Sequence, residues 1–200
     1  EGKLAQISAE TGVNFSKPVI GALTSVMWDA KLHYKSNAFS SMVDWINFTV
    51  EYFAGRPDLQ LLIRVHPAEV RGTLPSRQPL MGEIKRLFPV LPPNVFVIPP
   101  ESQVSTYAVI EQCDTVIIYN TKTGIEASSV GIPVIVAGEA WIRNKGFTSD
   151  ASSPEMYRQL LDQLPISRRM SSAQLERARK YAFHFFFRRM IPLPFIQPVE

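Results

Sequence analysis

Residues 114–138 read DTVIIYNTKTGIEASSVGIPVIVAG. The runs DTVIIYN (114–120) and PVIVAG (133–138) are continuously apolar, and Asp, Asn, Pro and Gly bound them. Unbroken runs of this length belong to strands covered on both faces, as in parallel sheets. Between them KTGIEASSVG reads as a short helix. Strand, helix, strand in this order is a right-handed crossover unit.

The same grammar extends in both directions. Upstream, VIGALT (19–24), LQLLIRV (59–65) and NVFVIPP (94–100) are further buried strands. SSMVDWINFTVEYFAG places Met42, Trp45, Ile46, Val50 and Phe53 on one helical stripe, and QVSTYAVIEQC gives a shorter helix. Five strands separated by helices predict an α/β fold, a Rossmann-like open parallel sheet with helices on both faces. The segment 71–80, RGTLPSRQPL, reads as an exposed loop. Downstream, SSPEMYRQLLDQL (152–164) is helical, with Ser152 or Ser153 as N-cap before Pro154. A last helix over 171–190 ends at the prolines of IPLPF. The expected division is 1–17 as an extension or linker, 18–150 as the Rossmann-like domain, and 151–200 as a helical C-terminal tail. That tail packs on the domain or crosses to a further one.

Bulk properties narrow the function. A chain of 200 residues, 46% hydrophobic, buries one substantial core. Its +3 charge, from 21 basic against 18 acidic residues, is too even for a nucleic-acid footprint. Cys113 is the single cysteine, so it forms no internal disulfide and reads as a buried thiol. His33, His66 and His184 have no metal-ligand spacing, so no metal site is expected. No apolar run approaches the ~20 residues of a membrane helix. The chain opens on Glu1, and its polar start reads as that of a fragment.

In open α/β sheets ligands bind beyond the carboxyl ends of the strands. The second strand ends in Arg64, Val65, His66, Pro67, Ala68 and Glu69, which delivers a guanidinium, an imidazole and a carboxylate together. An imidazole there donates to a phosphate oxygen, or else holds a neighbouring loop. The fourth strand ends in Tyr119 and Asn120, then Thr121, Lys122, Thr123 and Gly124, with Glu126 in the next helical turn. Hydroxyls and free N–H groups suit a phosphate, and Glu126 can accept from ribose hydroxyls. The plainer alternative is that the threonines cap the helix and Glu126 complements its dipole. Asp29 follows the first strand and is either a catalytic carboxylate at the reacting sugar carbon or a cap.

RVHPAE, the 114–138 segment and GFT at 146–148 together resemble the capsule polysaccharide biosynthesis family, which includes the Kdo transferases, from about Val19 to Phe195. The resemblance implies the C-terminal, donor-binding half of a two-domain GT-B glycosyltransferase. It implies His66 and Pro67 at the nucleotide, Thr121, Thr123 and Gly124 at the phosphate, and Glu126 near the ribose or sugar. Asp29 and His66 become the candidate catalytic residues. Arg64, Glu69, Tyr119 and Asn120 complete the donor-binding set. Lys122 departs from the small residue expected there. The implied substrate is a nucleotide sugar, CMP-Kdo first, with no separate cofactor. A glycan or glycolipid acceptor, a missing N-terminal domain and peripheral contact with the inner face of the inner membrane go with it. The other readings are teichoic-acid-type polyol-phosphate transfer, UDP-sugar epimerisation, and a nucleotide-binding domain without turnover. The tail's Tyr181, Phe183, Phe185, Phe186 and Phe187 are expected to be mostly buried, with Arg188 and Arg189 free.

Overall fold

The computed structural model describes residues 2–27, 35–71, 76–166 and 169–191. Among these, six strands form one parallel sheet: β1 (Val19–Leu23), β2 (Gln60–Arg64), β3 (Val95–Ile98), β4 (Thr115–Ile118), β5 (Val134–Val136) and β6 (Ser149–Asp150). Their spatial order is β3-β2-β1-β4-β5-β6, that of a Rossmann fold. The chain leaves β1 in one direction and resumes at β4 in the other, so the crevice beyond their carboxyl ends is the switch point.

The pleat sorts the strand residues into two cores, because successive side chains point to opposite faces. Ile20, Ala22, Leu61, Ile63, Ile117 and Ile135 face one layer, containing α2 (Met42–Ala54), α4 (Leu80–Leu87) and α7 (Pro154–Leu161). Val19, Leu23, Leu62, Val116, Ile118 and Val134 face the other, with α1 (Gly2–Thr11), α5 (Thr106–Gln112), α6 (Thr123–Ser129) and α8 (Ser172–Phe183). Every residue of β1, β2, β4 and β5 is buried, as their continuous apolar runs require.

Local signals explain the element ends. Ser41 and Ser153 each accept from the backbone N–H three residues on, and Pro154 opens α7. Ser171 and Gln174 form a capping box for α8. Within the first layer α2 and α7 are tied by Trp45 Nε1 donating to the Tyr157 hydroxyl at 2.9 Å, with Thr49 Oγ1 3.0 Å from the same oxygen.

The opening segment, expected as an extension or linker, packs on the sheet in its described part: α1 buries Ile7, and Asn14 exchanges two hydrogen bonds with the Gln60 side chain. β6 was not foreseen, since Ser149 and Asp150 carry no apolar signal. The tail aromatics are mostly not buried. Leu175, Ala178, Tyr181, Ala182 and Phe185 form the inward stripe of α8 and the π-helical turn His184–Arg188 that continues it. Phe183 and Phe187, 58% and 70% exposed, fall on the other side, because adjacent helical positions cannot share one face. Arg189 is not free either; its guanidinium lies 4.6 Å from the Trp141 ring and 4.9 Å from that of Phe185.

Candidate functional site

A cleft of about 370 Å³ opens at the carboxyl edge, the size of a small-ligand pocket. Its floor is Leu23 and Thr24 at the end of β1. One wall is the turn after β2, with His66, Pro67, Ala68 and Arg71, the last closing the short helix α3 (Ala68–Arg71). The other wall comes from the first turns of α5 and α6, with Thr106, Tyr107, Thr123 and Glu126. The two sequence motifs, more than fifty residues apart, therefore face each other across one space.

The His66 turn is fixed by its neighbours. Thr24 Oγ1 donates to Arg64 O at 3.2 Å and accepts from His66 N at 3.1 Å, which ties β1 to the turn. His66 Nδ1 accepts from Ala68 N at 3.1 Å. A nitrogen that accepts carries no proton, so the hydrogen of the neutral ring sits on Nε2, and the imidazole acts there as a donor.

Arg64 lines the cleft but is committed elsewhere. It is 3% exposed, and its guanidinium donates to the carbonyls of Pro99, Ser102 and Val104. Burial holds it below the usual arginine range, which is the cost of taking a cation from water. Arg64 thereby anchors the 99–104 loop that leads into α5.

Opposite, Tyr107 is 58% exposed, and its hydroxyl donates to Glu126 Oε1 at 3.1 Å. That hydrogen bond raises the phenol above its ordinary value, so the proton stays on the tyrosine. Thr123 Oγ1 stands 3.1 Å from Thr121 Oγ1.

Of the expected site residues, the fold brings Arg64, His66, Pro67, Thr123 and Glu126 to the cleft. Five others are placed away from its walls. Glu69 is buried, and its carboxylate accepts from Leu80 N at the start of α4. Tyr119 turns to the α2 layer, where its hydroxyl donates to Phe39 O. Asn120 accepts from Ser25 Oγ at 2.7 Å, bridging the strand ends at the switch point. Thr121 is buried against Thr123. Gly124 serves packing, since a Cβ there would lie 2.6 Å from Ile118 Cδ1 and 2.8 Å from Ile142 Cδ1. Lys122 is exposed and lines no part of the cleft. Asp29 and His33 lie outside the described residues.

The reading from sequence missed Thr24, Arg71, Thr106 and Tyr107. A helix that returns from β3 to β4 begins at the carboxyl edge, so the polar first turn of α5 was the available signal for Thr106 and Tyr107. Cys113 is fully buried, its thiol pushed up to about 12 by burial, which fits a packed thiol and not a nucleophile. Among the described residues no group of three or more His, Cys, Asp or Glu could hold a metal ion, and no helix is long and apolar enough to cross a membrane.

Comparison with known proteins follows the same lines. A β Kdo 2,4 transferase structure of Thermosulfurimonas dismutans KpsC superimposes with a TM-score of 0.54 at 15% identity, covering 84% of this chain and 45% of that one. The β Kdo 2,7 transferase of the same protein gives 0.50 at 19%, with the same coverages. A UDP-GlcNAc 2-epimerase from Neisseria meningitidis, bound to UDP-GlcNAc, gives 0.54 at 16%, covering 90% and 42%. At these identities the likeness is one of fold, and the chain spans less than half the length of each. No curated protein matches by sequence. The profile described as "Capsule polysaccharide biosynthesis protein" matches residues 15–182, and the chain accordingly belongs to the capsule polysaccharide biosynthesis protein family.

Proposed function

We propose that this chain is the donor-binding domain of a glycosyltransferase of surface-polysaccharide synthesis. Its donor is a nucleotide-activated sugar, with CMP-Kdo the first candidate, and the sugar passes to a glycan or glycolipid acceptor. The observation that carries this reading is the meeting of the His66–Pro67 turn with Thr123 and Glu126 across one cleft at the switch point. His66 offers an N–H to the phosphate, where it stabilises charge that grows as the nucleotide departs. Thr123 supplies a second donor, and Glu126 accepts from the ribose hydroxyls.

Because the chain spans less than half of its structural relatives, acceptor binding and closure of the reaction space fall to a further, N-terminal domain. This domain alone binds nucleotide without turnover. The setting we assign is the cytoplasmic face of the inner membrane, with peripheral contact. On sequence grounds Asp29, beyond the end of β1, is the carboxylate at the reacting carbon. Asp29→Asn in the full-length protein is expected to abolish transfer while donor affinity stays within about twofold, because such a group acts in the transition state. Transfer within a few-fold of the parent would remove Asp29 from the reaction.

A further inference from the structure

Glu126 is poised over the cleft by one described contact, and that contact is Tyr107. The phenol donates to Oε1 at 3.1 Å, and among the described residues the Glu126 side chain makes no other hydrogen bond. A carboxylate on an open helix face samples several rotamers, and a single directional donor selects among them. Tyr107 is itself held from behind. Arg64, buried beneath the cleft, fastens the carbonyls of Pro99, Ser102 and Val104, and Ser102 Oγ accepts from Val104 N at 3.1 Å. This braced loop runs directly into the first turn of α5, where Tyr107 stands. Tyr107 is more than half exposed, lines the cleft and gives its hydroxyl to an acid of the facing helix.

Resting on the nucleotide-donor reading above, we propose that Tyr107 is a positioning residue: it holds the Glu126 carboxylate so that Oε2 meets the ribose hydroxyls of the donor nucleotide. Discrimination between ribose and a sugar lacking its hydroxyls is then a joint property of Tyr107 and Glu126. The pair also sets the order of events, since the carboxylate is aligned before nucleotide arrives and no ordering is required on binding.

The test compares CMP with 2′,3′-dideoxy-CMP by calorimetric titration of the parent, Tyr107→Phe, Glu126→Gln and the double variant. The parent is expected to favour CMP. Tyr107→Phe, which keeps the ring and removes the hydroxyl, should weaken CMP about three- to tenfold and leave the dideoxy nucleotide within about twofold. In the double variant the tyrosine change should add nothing to the loss from Glu126→Gln, the mark of two residues acting as one. Equal weakening of both nucleotides by Tyr107→Phe, or unaltered preference for CMP, would overturn the positioning role while leaving the donor site standing. A parent that binds neither CMP nor UMP, titrated alongside as a control, would instead overturn the donor reading, and the role of Tyr107 with it.

Discussion

Glu69 shows how adjacency in sequence misleads about a site. It follows the His66–Pro67 pair by two residues, yet α3 turns it inward, where it accepts from Leu80 N and opens α4. Burial raises its carboxyl above the ordinary value, and the Leu80 hydrogen bond only partly opposes this. The folded state therefore binds this proton more tightly than the unfolded chain. The stability linked to it is present below the ordinary carboxyl value and lost as pH rises through the raised one. Glu69→Gln keeps an acceptor for Leu80 and has no proton to lose. Its urea stability relative to the parent should thus improve between about pH 4 and pH 8. A relative stability that falls over the same interval would mean that the charged carboxylate is the better cap. Tyr119 teaches a related lesson. It sits one residue from Asn120 at the end of β4, but the pleat sends it to the opposite layer, a parity the bare motif does not display.

The elements were legible where burial dictates composition. The apolar runs of β1 to β5, the stripe of α2 and the Ser153–Pro154 start of α7 all follow from rules of period and capping. β6 escaped because two polar residues at a sheet edge need no apolar signal, and the exposed half of the tail because aromatic residues do not by themselves state which way they face. Close packing between elements leaves its own trace at Gly21, in the middle of β1. A Cβ there would stand 2.7 Å from Cys113 Sγ, and the thiol is fully buried with its proton directed to Val109 O. Gly21→Ala should destabilise the domain by about 1–3 kcal/mol, as overpacked cores do. Adding Cys113→Ala should return part of that loss in thermal or urea unfolding. A Gly21→Ala protein as stable as the parent would show that β1 and the end of α5 have room the structure does not display.

For the molecule as a unit, sheet order matters more than any single motif. The order β3-β2-β1-β4-β5-β6 brings the β2 turn and the first turns of α5 and α6 to one cleft. The sequence already pointed to His66, Thr123 and Glu126 there, since each stands just beyond a strand end. It pointed less directly to Tyr107, which stands nine residues beyond β3 in the first turn of α5, after the 99–104 loop. The decisive measurement is thermal unfolding of this domain with CMP, CDP, UDP and GDP, repeated for His66→Ala. A ligand that binds only the native state adds ~2.7 kcal/mol of stability at a hundred times its dissociation constant. One nucleotide should raise the melting temperature saturably. In His66→Ala, with the charge-assisted hydrogen bond gone, affinity should fall by about 1.5–3 kcal/mol, read as the nucleotide-induced shift from each protein's own unliganded melting temperature. No response to any of the four nucleotides, or a response that His66→Ala leaves intact, would contradict a donor nucleotide in this cleft.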